Sequence, residues 1–481
     1  MIILRLMLAF IFPTLLGYLL VALITSKDDV LMPLEKLAVS YGIGVGILTF
    51  IMFLIGALKV PVNLSSILVV CIILFAYPLV MAFRKIRFAG FGAVGINLKN
   101  MKWYEYLLFG LISLRIFYSY FSAMIKPIDD VDAFANWSLR AKVFFFEQGL
   151  SLSKTHGYFF GGGHVYYPIN LPLFETWIFN VLGTWNDLLV KAIFPTFLLA
   201  LVLIFYCSMR RISGRAFSLF STYLLTTLPF LIYHSASAYM DFPLSFYFFA
   251  SFIYLMIYIR SGSRSFLVIS AILAGICAWT KNEGFILALV DLIAAFAYFA
   301  YFDKNDNRIK AYLLSIYAAI LLLFPVSWNL FKIIYGVPAP GDQVLYFSKM
   351  FEYANRIPVI LNFYFQKAFF YGNWNLAWFV FLVILILSLV KGGFSLENMF
   401  IISGIILCMA GYGIEYYLSK SYSFLLDGVT LNRNFLTFMP LVIYYICSAI
   451  PAILSDLLEK KSNKQGFQEK NHSLRRFLKQ G

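Results

Sequence analysis

Long apolar segments separated by short polar connections repeat along the whole chain. A helix of about 20 apolar residues crosses the roughly 30 Å hydrocarbon core of a bilayer, and thirteen segments have close to this length. They comprise residues 2–24, 38–58, 65–83, 104–124, 188–209, 216–233, 242–260, 265–281, 284–302, 311–330, 374–390, 398–418 and 435–454. Unpaired backbone groups are not tolerated in lipid, and the alternating pattern of a membrane β-barrel is absent. The pattern predicts an all-α polytopic membrane protein with about thirteen transmembrane helices.

Composition agrees with this prediction, and charge indicates an orientation. Of the 481 residues, 62% are hydrophobic and 13% are charged, which excludes an ordinary soluble domain. The net charge of +15 would suit a nucleic-acid partner, but Lys and Arg concentrate in short connections on one side of the predicted spans, which is the positive-inside pattern. These connections are residues 84–102, 210–215, 260–264, 304–310 and 391. We therefore expect no nucleic acid as partner and a multi-pass protein of a bacterial inner membrane, with its N-terminus outside.

The predicted spans divide the chain into three parts. Residues 1–103 contain three N-terminal spans, residues 104–454 form the larger membrane domain, and residues 455–481 are a basic cytoplasmic tail. The longest connections on the outer side are residues 125–187 and 331–373. No soluble domain of ordinary size is predicted, so we expect any chemistry to take place at the outer face, beneath these loops.

Three carboxylates stand at the start of the first long outer loop, directly after a predicted span. Charge next to lipid is costly, so Asp129, Asp130 and Asp132 form a candidate functional site. Crowded carboxylates raise one another's pKa, and a partly desolvated carboxylate can act as a general base. Helix capping is the alternative interpretation, but it explains one acid better than three.

The same loop contains a predicted amphipathic helix at residues 129–148. Asp132, Asn136, Arg140 and Glu147 share one face of this helix. The other face consists of aromatic and small residues, namely Phe134, Trp137, Ala141, Phe144 and Phe145. We expect this juxtamembrane helix to lie at the interface with its aromatic face toward the lipid and its acidic start at the mouth of the bundle.

The order of these features resembles the GT-C superfamily of integral membrane glycosyltransferases, in particular its protein-mannosyltransferase-like and aminoarabinose-transferase-like branch (glycosyltransferase family 39-type). The run from Asp130 through Trp137 to Lys142 is similar to the Asp-x-Asp-Ala…Trp…Lys-Ala-Lys pattern of bacterial members, and the resemblance spans roughly residues 104–440. It implies a GT-C-like fold, a sugar donor linked to polyprenyl phosphate, and a first-loop acid that acts as the base. Many members have Asp-Glu at this point, so the identity of the base stays open, with Asp130 expected first and Asp132 next.

The resemblance also implies substrate contacts in the first loop. Trp137, Arg140 and Lys142 match the superfamily pattern and are expected to contact the substrate, and Tyr167 matches the Tyr-Pro turn of the bacterial relatives. The glycines at residues 161–163 do not form a P-loop, because no Gly-Lys-Ser/Thr follows them. Such a glycine-rich loop suits sugar stacking or lid motion, and a plain surface loop is the alternative.

Later candidate residues stand at the predicted outer ends of spans. Asp241 matches a second acid of the superfamily, with a helix N-cap as the alternative. Lys281 and Glu283 separate two apolar runs, so they are expected to pair or to face the cavity. The resemblance assigns Lys281 to the donor phosphate, and a lysine snorkelling at the interface is the alternative. Arg433 departs from the positive-inside pattern and needs an anion; a guanidinium matches phosphate oxygens bidentately, which makes it a second predicted phosphate ligand.

These residues together predict an inverting glycosyltransferase. An aspartate would take a proton from a glycan, lipid or protein acceptor, while Lys281 and Arg433 would neutralise the departing phosphate of the donor. No cofactor is required and no metal site is predicted, although some members of the superfamily use a divalent metal. Two other classes stay open. A flippase or other transporter of a lipid-linked saccharide would place charges through the midplane, and an envelope polysaccharide polymerase or ligase would usually depend on a large late loop.

Overall fold

The computed structural model describes residues 1–25, 31–85, 100–155, 157–390, 394–451 and 453. Within these residues the chain is helical and contains no strand. The first helices are α1 (Ile2–Ile24), α2 (Pro33–Ala57), α3 (Leu64–Lys85), α4 (Trp103–Ile125), α5 (Ser138–Phe146), α6 (Asn170–Leu182), α7 (Ile193–Arg210), α8 (Arg215–Thr226) and α9 (Pro229–His234). The remainder are α10 (Asp241–Ser261), α11 (Arg264–Thr280), α12 (Glu283–Ala297), α13 (Asn307–Tyr335), α14 (Arg356–Phe369), α15 (Ala377–Val390), α16 (Leu396–Leu418), α17 (Tyr422–Leu426) and α18 (Leu431–Pro451). The predicted tail at 455–481 lies outside the described residues.

Ten of the described helices are long and apolar enough to cross a membrane. They are α1, α2, α3, α4, α7, α10, α12, α13, α16 and α18. The protein is therefore a polytopic helical membrane protein, as the apolar pattern predicted. Two shorter apolar helices, α11 and α15, coincide with two more of the predicted spans. The number of thirteen spans stays a prediction.

The predicted span at 216–233 is not a single helix. It divides into α8 and α9, because Pro229 has no N–H to donate and disfavours a helical conformation in the residue before it. Leu228 is accordingly extended, with φ −67° and ψ 115°. Neither piece alone has the length of a membrane span.

Contacts between loops and helix ends show which helix ends lie together at each end of the bundle. At one end, which we call the site end, hydrogen bonds join Arg5 to Leu182, Val62 to Gln148 and Tyr335 to Ala57. At the opposite end, ion pairs join Arg211 to Glu35, Arg215 to Glu105 and Arg260 to Glu397. Helices α7 and α10 both finish at the opposite end, near Arg211 and Arg260, so the chain between them returns to the site end through the shorter helices α8 and α9.

Helix α10 lies at the centre of the bundle, and nearly all its side chains are buried. It packs against α7, α11, α12 and α16. Since α10 begins at Asp241, that carboxylate lies at the middle of the site end. Helix α2 is also buried. It approaches α1 closely because Gly44 has no side chain, and a Cβ at this position would lie 1.7 Å from the carbonyl oxygen of Pro13.

Candidate functional site

Five charged side chains from four parts of the chain meet at the site end. Asp241 accepts hydrogen bonds from Lys281 Nζ at 2.9 Å and from Arg433 Nε at 3.0 Å. The Nη1 of Arg433 also donates to Asp132 Oδ2 at 2.6 Å. Lys281 Nζ lies 3.0 Å from Glu283 Oε1. The structure thus brings together five of the residues selected from the sequence, and Asp241 is their common centre.

The centre of this network is shielded from solvent. Only 1% of Asp241 and 3% of Lys281 is exposed. Charges at such depth are tolerated when they are paired and hydrogen-bonded. Burial acts to lower the pKa of Lys281, but the carboxylates of Asp241 and Glu283 outweigh it, so the pKa is raised and the ammonium stays charged. Both oxygens of Asp241 are therefore committed to cations.

A cavity of about 220 Å³, which we call the polar chamber, adjoins the network. Its acidic and basic lining residues are Asp132, His164, Lys281, Glu283, Asp342, Glu415 and Arg433. Its other lining residues include Asn136, Trp137, Tyr166, Tyr167, Gln343, Tyr416, Ser421 and Asn434. Asp241 supports the chamber from behind and is not among the residues that line it.

Two loops cover the polar chamber. Gln343 donates to the Tyr167 hydroxyl at 2.9 Å and accepts from Asn282 at 2.8 Å. The Tyr166 hydroxyl donates to Asp342 Oδ1 at 3.3 Å. Side-chain hydrogen bonds therefore join the first long loop to the loop after α13, and backbone hydrogen bonds from Ser421 to Asp342 and from Tyr346 to Leu418 hold the latter in place.

Several polar atoms around the chamber are buried and unsatisfied. Trp137 Nε1, Glu283 Oε2 and Glu415 Oε2 have no hydrogen-bond partner among the described residues. Buried polar atoms normally have partners, so these three atoms are available to hydrogen-bond a molecule that enters the chamber. One of these three groups donates and two accept, which suits a ligand with several hydroxyl groups.

The charge of the chamber walls is negative overall. Four carboxylates, Asp132, Glu283, Asp342 and Glu415, oppose the two fixed cations Lys281 and Arg433. Both cations already pair with carboxylates. The chamber therefore favours a polyhydroxylated or cationic group over an anion. Within the described residues, no group of three or more His, Cys, Asp or Glu side chains is placed to hold a metal ion.

The three clustered aspartates lie in three different environments. Asp132 lines the polar chamber, whereas Asp130 lines a second cavity and accepts from Ala238 N at 3.3 Å. Asp129 is exposed and pairs with Lys126 at 2.6 Å. That hydrogen bond lowers the pKa of Asp129. The predicted catalytic cluster is thus divided, and Asp132 alone of the three shares a chamber with Lys281 and Arg433.

The predicted surface helix is buried on both sides: Asn136 and Arg140 are buried on the side expected to be polar, and Trp137 and Phe144 on the side expected to face lipid. A π-helical turn at Ala133–Trp137 precedes α5, and Arg140 is completely buried. Its guanidinium donates to the carbonyl oxygen of Tyr167 at 2.8 Å and lies 4.7 Å from the centre of the Phe160 ring. Arg140 therefore anchors the following loop and does not line the polar chamber. Lys142 lies away from the chamber, 3.8 Å from the ring centre of Trp185.

The glycine-rich loop packs tightly onto this helix. Gly161, Gly162 and Gly163 all have positive φ, a conformation that glycine adopts without strain. A Cβ on Gly163 would lie 2.8 Å from Asn136 Oδ1, and one on Gly161 would lie 2.9 Å from the Cα of Arg140. The glycines allow close packing, and they bring Tyr167 to within 5.1 Å of Trp137, ring centre to ring centre.

Sequence analysis missed several chamber residues. Glu415 gave a usable signal, since an acid inside an otherwise apolar span is expected to have a function. Asp342 and Gln343 gave none, because they lie in a long loop without periodicity.

Comparison with protein-family models, with curated proteins and with solved structures finds no match for this chain.

Proposed function

We propose that the protein is a glycosyltransferase that transfers a sugar from a polyprenyl-phosphate donor to an acceptor hydroxyl or amine. The main support is the polar chamber, in which a carboxylate with a free oxygen faces buried, unsatisfied donors and acceptors. In this proposal the site end faces the outside of a bacterial inner membrane. The resemblance of residues 130–142 to GT-C glycosyltransferases points the same way.

Asp132 is the general base in this proposal. Arg433 bonds to its Oδ2, and Oδ1 receives no hydrogen bond from the described residues. About a third of the side chain is exposed, toward the chamber. The proposal prefers Asp132 to Asp130, which came first in the expectation from sequence, because Asp130 lines the other cavity.

The reaction is a single displacement with inversion. The acceptor oxygen or nitrogen forms a bond to the anomeric carbon while its proton passes to Asp132 Oδ1. The bond between the anomeric carbon and the phosphate oxygen breaks, and its electron pair leaves with the lipid phosphate. Phosphate is a good leaving group, so no strong general acid is needed.

The other charged residues have positioning roles. Arg433 orients Asp132 through its hydrogen bond, while Asp241 fixes Arg433 and Lys281 in place. Glu283 and Trp137 present their unsatisfied atoms to the hydroxyl groups of the sugar or the acceptor. A glycan, a lipid or a protein side chain satisfies this requirement for an acceptor.

Paired Asp-to-Asn variants test the proposal. Cell-envelope glycans would be analysed by mass spectrometry in cells that produce the wild-type protein, each variant, or no protein. Asp132→Asn should abolish the modification, since loss of a general base typically costs about 10²–10⁴-fold in rate. Asp427→Asn, which alters an exposed aspartate outside the chamber, is the matched control and should keep full activity.

Two results would contradict this proposal. Wild-type levels of modification by Asp132→Asn would remove that residue as the base, and loss in Asp130→Asn alone would assign the role to Asp130. A glycan profile that does not depend on the protein at all would refute glycosyl transfer to the envelope.

A further inference from the structure

A second cavity at the site end, which we call the basic cavity, has a volume of about 580 Å³. Arg115, Tyr118, Ser122 and Lys126 line one side of it and form a stripe along α4. At 1.5 Å per residue this stripe is roughly 16 Å long. The rest of its lining comes from the break between α8 and α9, from Asp130 and from the residues just before α7 and α15, and includes Lys191, Thr227, Pro229, Tyr233, Ser237 and Asn375.

The cations of the basic cavity are largely unneutralised. Lys191 is only 1% exposed, and its ammonium donates to the carbonyl oxygen of Lys126 at 3.2 Å. An ammonium has three donors, so two remain for a ligand. Neither Lys191 nor Arg115 forms an ion pair with any residue in the described ranges, and Lys126 pairs with Asp129 on the exposed side. Asp130 is the one carboxylate that lines the cavity.

The position of Arg115 needs an explanation. It is an exposed arginine near the middle of α4, a helix of predominantly apolar residues. Charged residues inside a span are costly and mark functional sites. Around it α4 exposes Leu114, Phe117 and Phe121, which form a lipid-facing surface. A hydrocarbon chain therefore has room to lie along α4 while its head group enters the cavity.

The two cavities differ in charge. The polar chamber has four carboxylates and two cations that are both paired, whereas the basic cavity has one carboxylate and three cations, of which only Lys126 is paired, with Asp129. We propose that the basic cavity, rather than Lys281 and Arg433, binds the phosphate of the polyprenyl-phosphate donor, with its chain along α4. This inference rests on the proposed function and names the part of the site that takes the donor.

The segment Asp130–Asp132 separates the cavities. Asp130 lies on the side of the basic cavity and Asp132 on the side of the polar chamber. A donor held by its phosphate in the basic cavity presents its sugar to this segment, and an acceptor in the chamber approaches from the other side. When the anomeric carbon–oxygen bond breaks, the electron pair leaves with the phosphate, next to Lys191.

Direct lipid binding tests this inference. The full chain in nanodiscs would be titrated with a polyprenyl monophosphate, with the corresponding polyprenol and with inorganic phosphate, and bound lipid would be counted by native mass spectrometry. Lys191→Met and Arg115→Gln should each weaken binding of the phosphorylated lipid about 10-fold or more, since a hydrogen bond to a charged group is worth roughly that factor. Lys191→Arg, which keeps the charge, should bind more tightly than Lys191→Met.

Two further variants complete the design. Lys349→Met, which removes an exposed lysine outside both cavities, should bind lipid as the wild type does. Lys281→Gln should also bind it with little change, because Lys281 faces the polar chamber. Unfolding midpoints of all variants would show that each is folded.

Several outcomes would overturn the inference. The first two are unchanged lipid binding in Lys191→Met and Arg115→Gln, and loss of lipid binding in Lys281→Gln alone. The third is an equal affinity for polyprenol and for its phosphate. The fourth is displacement of the lipid by inorganic phosphate at equal concentration, which would indicate a site for a soluble anion. Each can occur while the modification of envelope glycans still depends on Asp132, in which case the proposed transfer stands and only the donor site is wrong.

Discussion

Replacement of Asp241 by Asn should damage stability more than replacement of Asp132, although both carboxylates bind Arg433. Asp241 is 1% exposed and receives hydrogen bonds from two cations, at 2.9 and 3.0 Å. The amide removes the negative charge, and its NH2 group is a donor that faces a donor of Lys281 or Arg433.

The magnitude follows from burial. Breaking a buried ion pair costs about 3–5 kcal/mol. Lys281 and Arg433 each retain a second carboxylate, Glu283 and Asp132, so we expect about 3 kcal/mol for Asp241→Asn. A third of the Asp132 side chain is exposed, and an ion pair reached by solvent contributes about 1 kcal/mol or less.

Unfolding titrations with SDS in mixed micelles measure these free energies, and glycan analysis measures activity in parallel. Asp132→Asn should lose activity while remaining nearly as stable as the wild type. Asp241→Asn should lose both. An Asp241→Asn variant within 1 kcal/mol of the wild type, or an Asp132→Asn variant that loses as much stability as Asp241→Asn, would refute the reasoning.

Three more predictions concern stability. Burial lowers the pKa of His234 to about 4, so as the pH falls the unfolded chain binds a proton at this residue before the folded chain does. Between pH 6.5 and 4 the free energy of unfolding of the wild type should therefore fall by up to about 3 kcal/mol more than that of His234→Gln. Equal pH profiles of the two proteins in SDS titrations would contradict this. Burial raises the pKa of Glu175 to about 8, so the stabilising contribution of its neutral form is full below pH 4.5 and is lost as the pH rises through 8. At pH 8 the melting temperature of Glu175→Gln should therefore exceed that of the wild type. This difference should vanish near pH 4.5. Gly163→Ala places a Cβ 2.8 Å from Asn136 Oδ1 at a residue with positive φ. It should lower the free energy of unfolding by about 1–3 kcal/mol. Gly157→Ala, whose Cβ would meet open space, should show no such loss.

The helices were predictable because hydropathy is a local property. Residues 2–24 were assigned as a span and form α1, and the span at 398–418 differs from α16 by two residues at its start. The break at Pro229 shows the limit of this reasoning, because an averaged hydropathy does not register a single missing N–H.

The candidate site was predictable as a set of residues but not as an arrangement. Sequence reasoning selected Asp132, Asp241, Lys281, Glu283 and Arg433 one by one. It expected Lys281 and Glu283 to pair or to face the cavity, but it did not predict the ion pairs of Asp241 and Asp132, which join residues 40 to 301 positions apart.

The division of the aspartates was accessible in principle. Residues two apart on a helix point roughly 200° apart, so the helix predicted at residues 129–148 already implied that Asp130 and Asp132 face different sides. The burial of Arg140 was not accessible, because it depends on how the loop at residues 159–168 folds back.

The pairing of Asp132 with Arg433 has a consequence for biosynthesis. The guanidinium is synthesised 301 residues after the first of its two carboxylate partners, when most of the bundle has already entered the bilayer. Until the ribosome reaches residue 433, Asp132 and Asp241 both lack this counter-ion. A nascent or truncated chain that ends before residue 433 therefore lacks both ion pairs of Arg433, and its buried Asp241 keeps only Lys281 as a cationic partner.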